Sequence, residues 1–241
     1  MQQCRSRAVT HPGTRRSHNE DMFVARPDLG LWAVADGAGG HDAGEVASEM
    51  IATTLQSIPN ALTAEEMLSQ VRLRISATHA ALHEQAARKG EGVLIASTVV
   101  VLIVRHGHFA CLWAGDSRAY LLRGGVLQRI SRDHSLVQEL VDAGELDEAG
   151  AEGHPRANVI TRAVGDSAET VELDKSTGPV AAGDRFLLCS DGLTKVIGDA
   201  AIAALLGAGT ADAAADNLVA EALVRRTTDN VTAVVVEVAG A

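Results

Sequence analysis

The sequence predicts an α+β protein in which antiparallel β-sheet is combined with helices. Two observations indicate this class. Between residues 93 and 130, apolar and β-branched runs follow one another across short turns such as Gly124-Gly125, and strands joined by short turns pair antiparallel. Elsewhere apolar residues recur with helical spacing, as do Leu68, Val71 and Ile75.

The elements follow in order from these patterns. A helix over 42–57 ends ahead of Pro59, and the next helix begins at Thr63, where Thr63 and Glu66 have the spacing of a capping box. The segment 145–168 is acidic and has little periodicity, so we expect a mobile excursion on the surface there. The other predicted helices are 136–141, 199–206 and 211–226, and the predicted strands are 22–25, 31–34, 93–105, 109–114, 119–123, 126–130, 185–190 and 231–238.

Composition argues against several classes of function. The net charge of -10 opposes binding to nucleic acid and to anionic membranes. Three cysteines, Cys4, Cys111 and Cys189, lack regular spacing, which favours reduced core residues over disulfides or zinc ligands. The first residues lack the apolar run of a secretory signal, and the longest apolar stretch, 93–104, is shorter than the roughly 20 residues that span a bilayer. We therefore expect one soluble domain over 1–241, located in the cytoplasm.

Acidic residues stand where several predicted strands begin or end. An Asp-Gly pair such as Asp36-Gly37 is by itself an ordinary turn dipeptide, but strand ends can converge on one site. The candidate acids are Glu20, Asp36, Asp116, Asp191 and Asp229.

A set of oxygen ligands without His or Cys favours magnesium or manganese over zinc or copper. Carboxylates packed into one pocket repel one another unless cations neutralise them, so the clustering implies more than one ion. Two ions roughly 3.5–4 Å apart could deprotonate a water and hold both oxygens of an in-line displacement at phosphorus. The sequence therefore predicts a metal-dependent reaction of a phosphate ester.

Two other patterns point to weaker hypotheses. His79 and His83 have the i, i+4 spacing of a helical metal site, but no third ligand lies near them in sequence, so an exposed polar face is favoured over zinc. Ser117 and Ser190 lie beside acids without a Gly-x-Ser-x-Gly motif, as does Ser17, so a serine nucleophile is not expected.

Seven short motifs follow one another along the chain. They are Arg16 followed by Asn19-Glu-Asp, Val34-Ala-Asp-Gly-Ala-Gly-Gly-His41, Gly115-Asp-Ser-Arg-Ala-Tyr120, Asp133-His-Ser-Leu136, Ile160-Thr-Arg-Ala-Val-Gly165, Leu188-Cys-Ser-Asp-Gly-Leu193 and Asp229-Asn-Val-Thr232. In this order they resemble the metal-dependent type 2C serine/threonine protein phosphatases in their compact bacterial form, and the resemblance runs from about residue 8 to 238.

This resemblance implies a four-layer α/β/β/α sandwich with two central antiparallel sheets, and a manganese or magnesium centre. Asp36 would bridge two ions, and each ion would have two further ligands. A third ion would bind more weakly beside them. It also implies a phosphate-binding role for Arg16, and it identifies 145–168 as the flap that varies among members. The implied ligands are Glu20 and the Gly37 carbonyl at the first ion, Asp191 and Asp229 at the second, and Asp116 with Asp191 at the third.

One residue departs from the family pattern. Animal members have a histidine, assigned as the general acid, directly after the Asp-Gly pair, whereas this chain has Ala38. His41 lies three residues further on and does not simply inherit that role. A water on a metal ion is the economical candidate for the proton donor.

The resemblance predicts a phosphoserine/phosphothreonine protein phosphatase that acts as a monomer on a phosphorylated protein, with a serine/threonine kinase as a partner. Two alternatives stay open at this point. One is a catalytically silent regulatory domain that binds a kinase or a phosphoprotein, which the intact set of acids argues against. The other is a hydrolase of small phosphoesters, whose site would have the same chemistry.

Overall fold

The protein is described here by a computed structural model covering residues 3–38, 43–90, 92–147, 150 and 154–240. Groups of strands are separated along the chain by single helices or by two or three helices in succession. The strands are β1 (Cys4–His11), β2 (Asp21–Arg26), β3 (Leu31–Ala38), β4 (Ala96–Ser97), β5 (Val99–Arg105), β6 (His108–Ala114), β7 (Arg118–Arg123), β8 (Val126–Arg129), β9 (Asp174–Pro179), β10 (Arg185–Cys189) and β11 (Val231–Val238). The helices are α1 (Ala43–Gln56), α2 (Ala64–Lys89), α3 (Leu136–Asp142), α4 (Asp191–Thr194), α5 (Asp199–Gly207) and α6 (Ala211–Val224).

The strands form two antiparallel sheets. One has the order β1-β11-β10-β7-β8, and the other has the order β2-β3-β5-β6-β9 with β4 paired to β3. Successive strands that pair, such as β2 with β3 and β5 with β6, are joined by short turns, which antiparallel pairing permits.

Three hydrophobic layers show how the sheets and helices stack. Because side chains alternate across a strand, Trp32 and Val34 of β3 face the other sheet, whereas Leu31 and Ala33 face α1 and α2. In the same way β11 contributes Val234 and Val236 to the layer between the sheets and Val231, Ala233 and Val235 to the layer beneath α5 and α6. The predicted four-layer sandwich is therefore confirmed.

The capping box predicted at Thr63 is present. The Thr63 hydroxyl accepts a hydrogen bond from the Glu66 N–H at 3.1 Å, and the Glu66 carboxylate accepts one from the Thr63 N–H at 2.7 Å. Two free backbone donors at the start of α2 are thereby satisfied.

Several predicted boundaries were wrong. The strand expected over 93–105 is divided at Thr98 into β4 and β5, because Ser97 pairs with Gly37 and also forms a bridge to Val164. The strand expected to end at Val34 continues to Ala38. Two strands, β1 and β9, were not predicted at all.

The flap predicted over 145–168 lies partly outside the described residues. Its last part is tied to the body of the protein: Val164 is fully buried, and its N–H and carbonyl both bond to Ser97. The end of this segment is therefore packed and hydrogen-bonded.

The exposed polar face predicted for His79 and His83 was wrong, since His79 is buried. The Nδ1 atom of His79 accepts a hydrogen bond from the Gly165 N–H at 2.9 Å, so its Nε2–H donates to the Ala168 carbonyl at 3.0 Å. His83 contacts the Asp166 carbonyl. Both imidazoles therefore connect the end of the predicted flap to α2.

No helix in the described ranges is both long enough and apolar enough to cross a membrane.

Candidate metal centre

Asp36 lies near the end of β3, where hydrogen bonds hold its backbone from two sides. Its N–H donates to the Thr98 hydroxyl at 3.2 Å, and its carbonyl accepts from the Thr98 N–H and the Ser97 hydroxyl, both at 2.9 Å. The break between β4 and β5 thus supplies the groups that fix Asp36.

Gly37 permits a close approach of three chain segments. A Cβ atom at this position would lie 2.3 Å from the Gly44 carbonyl oxygen and 2.8 Å from that of Glu20, distances that no side chain tolerates. The Gly37 N–H instead donates to the Glu20 carbonyl at 3.1 Å. Glu20 is therefore held next to the Asp36-Gly37 pair, as the predicted first metal site requires.

Asn230 connects the start of β11 to the segment before β2. Its side-chain oxygen accepts from the Glu20 N–H at 2.9 Å, and its amide nitrogen donates to the carbonyls of Pro12 and His18 at 3.1 and 2.9 Å. A Cβ atom on Gly192 would lie 1.9 Å from the Asn230 carbonyl oxygen. The first turn of α4, which starts at Asp191, is consequently packed against the Asp229-Asn230 turn.

Asp21 is a buried acid that the sequence did not single out. Its Oδ2 atom accepts hydrogen bonds from the Ser190 and Thr232 hydroxyls, both at 2.7 Å, while Oδ1 has no partner. Burial is the main reason that the pKa of Asp21 is raised to about 7. Asp21 lies opposite Asp36 in the β2–β3 register. Because this position depends on strand pairing, no local sequence pattern could have identified Asp21 as part of the site.

Four other acids lie close enough to Asp36 for their charges to affect its pKa. The pKa of Asp36 is raised well above its ordinary value, first by burial and then by the negative charges of four other acids. Asp116 is 8% exposed, its Oδ1 atom has no partner, and burial raises its pKa to about 7. The four acids that act on Asp36 are Asp21, Asp191, Asp116 and Asp229.

Two cationic side chains pair directly with this cluster. Arg16, which is half exposed, places Nη2 at 2.9 Å from Oδ1 of Asp229. Lys195 places Nζ at 2.5 Å from Oδ2 of Asp191 and 3.3 Å from Oδ2 of Asp229. Lys195 is a second residue of the site that the sequence did not single out.

The structure therefore brings every predicted site residue to one region, although their roles stay predictions. Within the described ranges, no three acidic, His or Cys side chains are already closed around a point that could hold an ion. The donor set nevertheless fits magnesium or manganese, because it consists of oxygens, and two buried carboxylate atoms, on Asp21 and Asp116, lack partners. His41 lies outside the described residues, and Ala38 ends β3.

Comparison with known proteins identifies the family. The protein phosphatase 2C family model matches residues 13–226. A serine/threonine phosphatase, stp, of Listeria monocytogenes is 35% identical over 236 residues, which cover 95% of this chain and 93% of that protein.

Solved structures agree with this match. PppA of Pseudomonas aeruginosa, described as a key regulatory component of T6SS, is 44% identical with a TM-score of 0.90, and the alignment covers 97% of both chains. The catalytic domain of the serine/threonine protein phosphatase PstP, solved in complex with two manganese ions, is 33% identical with a TM-score of 0.88, and 98% of this chain and 99% of that one are covered. With its sequence matched over residues 13–226 and its four-layer fold matched over nearly its whole length, this chain belongs to the protein phosphatase 2C family.

Proposed function

We propose that this chain is a serine/threonine protein phosphatase that uses the acidic cluster to hold manganese or magnesium and to hydrolyse phosphoserine and phosphothreonine. The observation that carries the proposal is the convergence on Asp36 of acids from distant parts of the chain. Such a buried cluster is costly without cations, so its presence is explained by metal binding. The family and the manganese ions of the related PstP domain support the same function.

The ligands are assigned by motif position and by the contacts of each residue. Asp36 would serve both ions, Glu20 and the Gly37 carbonyl would hold one of them, and Asp191 and Asp229 would hold the other. Asp116 with Asp191 would hold a third, more weakly bound ion. The hydrogen bond from the Gly37 N–H to the Glu20 carbonyl supports placing these two residues at the same ion.

The reaction is a displacement at phosphorus by water. Divalent ions held by these residues would supply an activated water at neutral pH and would neutralise charge on the phosphoryl oxygens. Arg16 binds the substrate phosphate, because its guanidinium lies at the rim of the cluster, half exposed, beside Asp229, and can pair bidentately with phosphate oxygens. Asp21 accepts hydrogen bonds from Ser190, which precedes Asp191, and from Thr232, the second residue of β11. It thereby fixes the start of α4 and the start of β11 relative to β2.

Ala38 cannot donate a proton to the departing alkoxide. The donor must therefore be a group other than the side chain at that position, and a water held at the metal centre would be the economical source.

The finer assignments follow from the same features. We expect a bacterial cytoplasmic enzyme that acts as a monomer over the domain 1–241, with the flap 145–168 influencing which phosphoprotein is accepted. A serine/threonine kinase that phosphorylates the same substrate is the expected partner. The net charge of -10 supports protein substrates over nucleic acid or membranes.

The direct test of this function is metal-dependent hydrolysis. We expect metal-stripped protein to be inactive on an aryl phosphate and on a phosphothreonine peptide, and manganese or magnesium to restore turnover and raise Tm, because the ions bind only the folded cluster. Full turnover in excess chelator would contradict the dinuclear centre. Manganese binding without turnover on either substrate would instead indicate a silent regulatory domain.

Asp36→Asn separates a metal-bridging acid from a turn residue. Asn serves similar turns, so a turn role predicts an active variant. A bridging role predicts loss of turnover together with loss of the tightly bound ion pair. The metal-free variant should be as stable as the parent or more stable, because one charge leaves a repelling cluster.

The measurement for Asp36→Asn is kinetics and scanning calorimetry with manganese and with chelator. Asp28→Asn is the matched control, since Asp28 lies outside the cluster and pairs with Arg26; it should keep full activity. An active Asp36→Asn variant, or one markedly less stable than the parent in chelator, would show that Asp36 maintains the fold instead of the ions.

Arg16→Ala tests the phosphate-binding role. A charge-assisted contact of this kind corresponds to about a ten- to a hundred-fold decrease in kcat/KM, and manganese binding should be retained. Arg15→Ala removes the same charge from the neighbouring exposed residue and should change kcat/KM little. Unchanged kcat/KM in Arg16→Ala would mean that another group receives the phosphate.

A further inference from the structure

Lys195 occupies an unusual place among the cations of this chain. The sequence has three lysines, and Lys195 is the one that forms ion pairs with Asp191 and Asp229 in the acidic cluster. Lys195 lies at the end of α4, one turn after Asp191, and its side chain is 35% exposed. It points back along the short helix into the acidic cluster.

The Lys195 ammonium forms ion pairs with two acids of the cluster, Asp191 and Asp229. It bonds to Oδ2 of both carboxylates. The remaining oxygen of Asp229, Oδ1, already accepts from Arg16 and from the Asn230 N–H at 2.9 and 3.1 Å. Both oxygens of Asp229 thus have cationic partners, and a metal ion on this carboxylate would compete with Lys195 and Arg16 for its negative charge.

The other half of the cluster differs. In the part of the chain that the structure describes, no Lys, Arg or His forms an ion pair with Asp36 or Asp116. Oδ1 of Asp116 has no hydrogen-bond partner. Among the described residues, an arriving cation therefore meets no ion-paired side chain at Asp36, whereas it meets Lys195 at Asp191 and Asp229.

We propose that Lys195 is an internal counter-cation that holds Asp191 and Asp229 together in the metal-free protein and competes with the ion that these two acids bind. This inference rests on the proposed metal centre and goes beyond it, because it concerns how the two sites differ. Lys195 lowers the electrostatic cost of keeping Asp191 and Asp229 side by side when no metal is bound. For the same reason it lowers the affinity of these two acids for a metal ion. The centre consequently fills in two steps of different affinity.

The experiment is titration calorimetry of metal-stripped parent and Lys195→Met with manganese alone, together with Tm in chelator. Met keeps the length of the apolar stem without the charge. We expect the weaker manganese step to tighten about tenfold or more, as loss of a competing charge-assisted contact predicts. In chelator we expect Tm to fall by about 2–4 °C, because Asp191 and Asp229 lose their shared partner.

Two further variants isolate the charge. Lys195→Arg should stay near the parent in both measurements, because it retains a cation at the same place. Lys175→Met removes one positive charge from an exposed position on β9 and should change neither value, which excludes an effect of net charge.

The outcomes distinguish this inference from the proposed function. Two manganese steps in the parent that Lys195→Met leaves unchanged or weakens would overturn the role of Lys195 and leave the metal centre intact. A Lys195→Met variant that is more stable than the parent in chelator would also overturn the role of Lys195 without contradicting the metal centre. A parent that binds no manganese would overturn both proposals.

Discussion

Repulsion among buried carboxylates is the constraint on which the rest of this structure depends. Burial and four neighbouring acids raise the pKa of Asp36 well above its ordinary value, so the cluster opposes folding unless protons or cations neutralise it. Arg16 and Lys195 neutralise one half. The remaining charge defines a site for divalent cations, and the fold supplies the stability that holds the acids together.

The surrounding architecture holds this cluster with backbone contacts more than with side-chain packing. The two sheets bury apolar residues between them, and the acids lie where strands of both sheets end or begin. Gly37 and Gly192 let the backbone of separate segments approach to distances that a Cβ atom forbids. Asn230 then joins the segments by hydrogen bonds to Glu20, Pro12 and His18.

The sequence predicted the fold class, and it singled out five acids that the structure brings to one region, because both have local signals: apolar runs broken by turns, and carboxylates at those turns. Its failures concern features that only long-range pairing creates. In β1, arginines alternate with small residues, and β9 is polar with a Gly and a Pro; both are edge strands whose conformation comes from β11 and β6. Asp21 and Lys195 acquire their importance from acids elsewhere in the chain, which no local pattern reveals.

The central claim is that the cluster around Asp36 exists to hold divalent cations. Anomalous diffraction at the manganese absorption edge, from crystals of the active protein grown with manganese, tests it most directly. The account predicts two strong peaks roughly 3.5–4 Å apart that share Asp36 as a ligand, with Lys195 moved away from Asp191. Ordered manganese elsewhere in the crystal, with no peak beside Asp36, would contradict it.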